Sequence, residues 1–294
     1  IDFDEGPFYQ SKRLDIYKEH AQKLVGAGKA YHCFCSQARL SVLKEVQKSK
    51  KQPPHYDGRC KLLEKKDVDA KLKEENPFVI RMDIPEKGET SFEDAIKGTV
   101  TIQNSTIDDQ VILKSDGFPT YHLASVVDDH LMEISHVIRA DEWIASTPKH
   151  VLLYQSFGWE EPVWVHLPII LGQDKSKLSK RHGDVSVLDY QKQGYLADAL
   201  VNYLSFLGWN PKTEQEVMTR DELIKQFDLE KINKNNPIFD LTKLKWMNKQ
   251  YIKTMPEDKL TKLIGKDANE KAVKLVKDRM EKISDYEALT GFLQ

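Results

Sequence analysis

Val163-Trp164-Val165-His166-Leu167-Pro168-Ile169-Ile170-Leu171 is an apolar run that leads into Gln173-Asp174-Lys175-Ser176-Lys177-Leu178-Ser179-Lys180-Arg181-His182-Gly183-Asp184. Upstream, Glu133-Ile134-Ser135-His136-Val137-Ile138-Arg139 reads as a strand. Ser146-Thr147-Pro148 then opens a helix that runs through His150, Val151, Leu152, Tyr154 and Phe157 to Gly158. Proline is tolerated in that first turn, where its missing N–H would have no helical partner. Strand, helix and strand in this order predict a crossover unit with a parallel sheet. Its right-handed sense follows from the twist of the strands.

In an open parallel sheet, ligands bind beyond the carboxyl ends of the strands. The first strand of the crossover ends at Arg139-Ala140-Asp141-Glu142-Trp143, which sets a guanidinium, two carboxylates and an indole on that rim. An arginine fork binds both oxygens of a carboxylate at once. The competing reading is a surface ion pair of Arg139 with Asp141 or Glu142. The second strand ends in a loop with Lys175, Lys177, Lys180 and Arg181. Mobile cations there would neutralise charge on a triphosphate as a phosphorus–oxygen bond breaks. A charge run alone is usually a solvated face, but Lys-Leu-Ser-Lys-Arg directly after a parallel strand is a more specific signal.

Outward from this unit the pattern changes. In front of it, Ser11 is placed to cap a helix through Leu14, Tyr17, Ala21, Leu24 and Val25 that stops at Gly26 and Gly28. Residues 30–35 alternate like a strand, 36–52 look helical, and 78–83, 98–103 and 109–114 read as strands, an α+β mixture. Behind it, from about residue 187, the reading is helical: Leu188, Tyr195, Leu196, Ala199, Leu200, Tyr203 and Leu204 supply one apolar face. Gly208-Trp209-Asn210-Pro211 end that stretch, and Thr219 with Glu222 has the spacing of a capping box. Residues 240–250 and 256–294 add further helices.

The 294 residues suffice for two or three domains, and 40% apolar with 31% charged residues is a globular composition. No apolar run approaches the roughly 18–20 residues that span a bilayer. The acidic start Ile1-Asp2-Phe3-Asp4-Glu5 is not the basic opening of a signal peptide. Three cysteines build no disulfide framework, and with no secretory segment a reducing, cytoplasmic setting is expected. A monomer is expected independently of this. The net charge of −2 argues weakly against nucleic acid, yet residues 41–66 carry Lys44, Lys48, Lys50, Lys51, Arg59, Lys61, Lys65 and Lys66 against Glu45, Asp57 and Glu64. Such a patch either binds phosphates or is a solvated face.

Lys177-Leu178-Ser179-Lys180-Arg181 resembles the KMSKS loop of class I aminoacyl-tRNA synthetases, and His182-Gly183-Asp184-Val185-Ser186-Val187 is similar to its continuation in bacterial and mitochondrial glutamyl-tRNA synthetases. Asp4-Glu5-Gly6-Pro7-Phe8-Tyr9-Gln10-Ser11-Lys12-Arg13 looks like that family's entry into its acceptor-stem domain. The runs from Lys114 to Ala124 and from Val126 to His130 look like its return to the nucleotide fold. Val137 to Trp143, Phe239-Asp240-Leu241 and Lys245-Trp246-Met247-Asn248 also agree, so the likeness runs nearly end to end.

The resemblance implies an incomplete Rossmann-type α/β fold, with a parallel sheet, an α+β acceptor-stem insertion and C-terminal helical domains. Residues 1–10 and 113–172 would form a split catalytic domain, 11–112 the insertion, 173–250 a helical stem-contact domain and 251–294 the start of an anticodon-binding domain. It implies ATP-dependent activation of L-glutamate, with Mg²⁺, and transfer to the 3′ end of tRNA(Glu). Tyr121, Ser125, Arg139, Glu142 and Trp143 would bind substrate, with Arg139 facing the glutamate side chain; relatives often have Asn where Ser125 stands. Lys177, Ser179 and Lys180 would contact the ATP phosphates, and the two lysines would be catalytic. Arg139 and Lys180 are expected to converge on one cleft. His-x-Gly-His, the family's other ATP motif, occurs nowhere in the sequence. It is expected upstream of Ile1, and this chain alone is expected to make no adenylate.

Cys33-Phe34-Cys35 with Cys60 supplies three thiols, suggestive of zinc but one ligand short. The family includes forms with a zinc site on a similar framework, whose histidine two residues after the third cysteine is Leu62 here. Tyr56, His55 or water would complete a Zn²⁺ site; otherwise the thiols are simply reduced and partly buried. Two other functions compete. One is a shortened paralogue of the glutamyl-queuosine type, against which the helices beyond the loop argue. The other is a non-catalytic, zinc-bearing RNA-binding module, for which Lys-Leu-Ser-Lys-Arg has no use.

Overall fold

A computed structural model describes residues 4–179, 186–266 and 268–291. The chain divides into two compact units, Ile1–Ile138 with Trp143–Val165 and Arg139–Glu142 with His166–Gln294.

In the first unit, helix α1 (Leu14–Gly26) buries Tyr17, His20, Ala21 and Leu24. It begins later than Ser11, which lies in a 3-10 turn and caps nothing. Arg13, the residue before the helix, is instead fixed by a 2.9 Å ion pair to Asp128. Then come β1 (Ala30–Cys33), α2 (Gln37–Ser49), α3 (Lys65–Lys73), β2 (Val79–Met82), β3 (Glu89–Asp94), β4 (Gly98–Gln103) and β5 (Val111–Leu113). Next are α4 (Tyr121–Leu131), β6 (His136–Ala140), α5 (Thr147–Phe157) and β7 (Val163–Leu167).

Strands β1, β2 and β5 form one antiparallel sheet. The second sheet has the order β4-β3-β7-β6, with β3 and β4 antiparallel and β3 parallel to β7, Asp94 opposite Trp164. Hence the sheet is mixed, and the parallel part is real but partial. Helix α5 has Pro148 in its first turn and stops at Gly158, left-handed at φ 70°. Strand β6 starts later than expected because Glu133 turns to φ 53°. Strand β7 ends at Leu167 rather than Leu171; Pro168 has no N–H to extend a ladder. One apolar core gathers Tyr17, Leu24, Ile80, Ile112, Leu123, Val127, Val151, Leu153 and Trp164.

The second unit is helical past the loop: α6 (Val187–Lys192), α7 (Ala197–Gly208), α8 (Arg220–Gln226), α9 (Leu241–Thr254), α10 (Glu257–Ile264), α11 (Glu270–Val276) and α12 (Asp285–Thr290). The capping box at Thr219 and Glu222 is formed, and Asp240 caps α9 through the amides of Thr242 and Lys243. Fully buried Asn248 accepts from Leu196 N at 2.8 Å and donates to Glu281 O at 2.6 Å, so one amide ties α9 to two distant segments. Among the described residues, no helix is long and apolar enough to cross a membrane.

Candidate functional site

In the second unit, Arg139 sits near the end of β6 and its Nε donates to His166 Nε2 on β7 at 3.1 Å. His166 is wholly buried. A ring nitrogen that accepts from a guanidinium carries no proton, so this imidazole is neutral with its proton on Nδ1. Nothing in the sequence marks His166, because a lone histidine in an apolar strand reads as core. Three residues after Arg139, the Glu142 carboxylate pairs with the Lys177 ammonium, both side chains about half exposed. The loop that carries Lys177 folds back on itself: Gly172 N donates to Ser176 O at 2.8 Å, and Leu178 N donates to Ile170 O at 2.9 Å. Ser179 is its last described residue. Lys180 lies outside the described residues, and with it the expected meeting of Arg139 and Lys180.

In the first unit, Tyr121 opens α4 and stays half exposed, its ring 4.7 Å from that of Trp143. Trp143 O accepts from Thr147 Oγ1 at 3.0 Å, which anchors the turn into α5. The Ser125 hydroxyl donates to His122 O at 3.5 Å, back along its own helix. His122 Nδ1 and His150 Nε2 lie 2.8 Å apart, a pair the sequence did not single out. Since only one of the two nitrogens can donate, at least one imidazole is neutral. Thus Tyr121 and Trp143 meet in one unit, while Arg139, Glu142 and Lys177 belong to the other.

The three thiols do gather, also in the first unit. Cys33 ends β1, Cys35 precedes α2, and Cys60 sits in a 3-10 turn entered through left-handed Gly58. Their sulfurs lie within 4.8 Å of one another, with Cys35 and Cys60 3.5 Å apart. Tyr56 Oη lies 3.4 Å from Cys33 Sγ and 3.3 Å from Cys35 Sγ, and accepts from Cys60 N at 3.0 Å. His55 is turned away: Nδ1 is 2.7 Å from Tyr56 O and Nε2 3.3 Å from Ile107 O. Leu62, which stands where the resemblance to zinc-bearing forms would call for histidine, is 83% exposed. The hydrogen bond from Cys60 draws the Cys33 thiol well below the usual thiol range, while the same contact pushes Cys60 up. Burial, then the hydrogen bonds to the thiols, holds the Tyr56 phenol protonated.

With zinc–sulfur bonds of about 2.3 Å, tetrahedral ligand sulfurs lie roughly 3.8 Å apart. The thiols, all within 4.8 Å of one another, are gathered close to that spacing, and the Tyr56 hydroxyl lies beside them. Cys33, Cys35 and Cys60 therefore form a group able to hold a metal ion, with the Tyr56 hydroxyl beside them.

Residues 1–246 match the family model of class I tRNA synthetases (E and Q), catalytic domain. The chain is 50% identical over 258 residues to a glutamate–tRNA ligase of Clostridioides difficile (strain 630), covering 88% of this chain and 52% of that protein. It is 46% identical to a glutamate–tRNA ligase of Dehalococcoides mccartyi, covering 99% of this chain and 61% of that one. The chain thus spans between about half and three-fifths of these relatives' length. The crystal structure of a glutamate tRNA ligase from Elizabethkingia meningosepticum, in complex with its amino acid, is similar at a TM-score of 0.89 and 32% identity, over 98% of this chain and 65% of that one. On a match that covers most of its length, the chain belongs to the class I tRNA synthetases for glutamate and glutamine, in the family of their catalytic domain.

Proposed function

We propose that the protein is a cytoplasmic glutamate–tRNA ligase that uses ATP to activate L-glutamate and then charges tRNA(Glu). A glutamate α-carboxylate oxygen attacks the α-phosphorus of ATP. The bond to the β-phosphate breaks, leaving glutamyl-adenylate and pyrophosphate. A hydroxyl of the terminal adenosine of tRNA then attacks the acyl carbon, and AMP leaves. No covalent enzyme intermediate is needed; alignment and charge stabilisation do the work.

Arg139 takes the glutamate side-chain carboxylate, Tyr121 and Ser125 bind the amino acid, and Glu142 and Trp143 hold substrate or adenosine. Lys177, Ser179 and Lys180 meet the ATP phosphates. Mg²⁺ accompanies ATP, held through phosphates and water. The observation that carries this reading is the ion pair of Glu142 with Lys177. It ties the first lysine of Lys-Leu-Ser-Lys-Arg to the strand end that bears Arg139. Phosphate would replace Glu142 as the partner of that lysine.

Cys33, Cys35, Cys60 and Tyr56 hold one Zn²⁺, whose part is structural. The division into a split catalytic domain (1–10 and 113–172), an acceptor-stem insertion (11–112), a stem-contact region (173–250) and anticodon helices (251–294) is part of the same reading, and the order of the family's motifs along the chain supports it.

The test is ATP-dependent charging of tRNA(Glu) by the full-length protein. Charging with glutamate that falls at least about tenfold in Arg139→Ala, and likewise in Lys177→Ala, is the expected result. Undiminished glutamate charging by Arg139→Ala would remove the proposed amino-acid site.

A further inference from the structure

A charged side chain that reads a substrate must be held still, and an arginine samples many rotamers unless something fixes it. The Nε of Arg139 donates to His166 Nε2 at 3.1 Å. The acceptor is a histidine with no exposed surface, on β7 after the buried Trp164 and Val165. A second positive charge is unfavourable there on two counts, loss of water and the adjacent guanidinium. A neutral acceptor beside a permanent cation is a one-way arrangement, because only Arg139 can donate.

We propose that His166 is the positioning residue for Arg139, holding the guanidinium plane so that it receives the side-chain carboxylate of the amino-acid substrate. The bond uses Nε, next to the aliphatic stem, and so sets the plane without itself occupying the terminal nitrogens that form the fork. A guanidinium locked in place also sharpens the choice of carboxylate over carboxamide, since an amide would turn N–H donors against N–H donors. The inference rests on the reading of Arg139 given under the proposed function, and its test separates the two.

In the full-length protein, His166→Gln, His166→Asn and His166→Leu are compared with Arg139→Ala by charging kinetics, glutamate and ATP being varied in turn. Glutamine carries an acceptor where Nε2 stands, whereas the shorter asparagine does not reach it. His166→Asn and His166→Leu are expected to raise the KM for glutamate by about 10- to 100-fold, the usual worth of a hydrogen bond to a charged group. The KM for ATP stays within about twofold, and His166→Gln restores most of the loss. In an Arg139→Ala background, His166→Leu adds nothing further.

Equal damage from Gln, Asn and Leu, or a KM for ATP that rises in step, would make His166 a packing residue and overturn the proposal. Should Arg139→Ala raise the KM for glutamate while His166→Asn and His166→Leu do not, the positioning alone fails. An unchanged KM in Arg139→Ala overturns the reading of Arg139 and this inference together.

Discussion

Asp128 shows how much one side chain can set. It accepts from Tyr17 Oη at 2.6 Å and pairs with Arg13 Nε at 2.9 Å, joining the start of α1 to the end of α4. Asp128→Ala would strand a partly buried guanidinium and a buried phenol together. It is expected to cost about 3 kcal/mol, read as a lower denaturant midpoint with unchanged slope. Burial, and then the hydrogen bond to Asp128, pushes the Tyr17 phenol up to about 12. Its folded value thus lies above its unfolded one of about 10. The stability this contributes is complete below about pH 10 and is lost as pH rises towards 12. Tyr17→Phe is expected to flatten that part of the pH–stability profile. The thiol cluster carries a second prediction. Purified protein is expected to bind roughly one zinc ion, chelation to lower its melting temperature, and Cys60→Ser to weaken binding. Less than roughly stoichiometric metal would leave the cluster as three thiols and a phenol. At this scale the sequence was half legible. The spacing of Cys33, Cys35 and Cys60 exposed the thiols, but Tyr56 could not be told from His55 until the chain folded one ring towards them and the other away. His166 carried no local mark at all, because its role is created by a strand neighbour that periodicity does not reveal.

Elements were legible where their signals are local. Thr219 accepts from Glu222 N at 3.3 Å and Glu222 reaches back to Thr219 N at 2.7 Å, as the spacing required. Thr219→Ala is expected to destabilise α8 by about 1 kcal/mol, seen as earlier loss of amide protection in that helix than in α9. The Glu222 carboxyl is held below its ordinary range, first by the Thr219 amide. Its contribution is therefore present above the ordinary carboxylate range and fades as pH falls through the depressed value. Strand β3 was missed for the converse reason. Its alternation is sound, with Thr90, Phe92 and Asp94 buried, but two of those three are polar. Asp94 earns its burial by accepting from the amides of Ile96 and Lys97, a turn contact that no hydrophobic count registers. Helix α3 has no counterpart in the expectations; like α2, it buries no residue.

Across the whole molecule, the main core of the first unit is drawn from residues between Tyr17 and Trp164, and the clusters of the helical unit from residues beyond Ile170. The broad α/β then helical succession was legible, because the switch from alternating to helical periodicity falls near the cationic loop. The sharing of β6 and β7 between the units was not, because it depends on which residues pack together over long separations. Separate cores imply separate cooperativity. Leu244 on α9 is wholly buried in the cluster with Tyr203 and Met247, and Tyr251 packs against both that cluster and the one under α10 and α11. Leu244→Ala should cost roughly 2–5 kcal/mol in the helical unit. Hydrogen exchange is then expected to quicken in α7, α9, α10 and α11 together, since Tyr251 couples them. Protection in β2 and α4, which rest on the other core, should hold at its original level. Equal loss of protection in all six elements would show that the chain opens as one body, and that the two cores share a single transition.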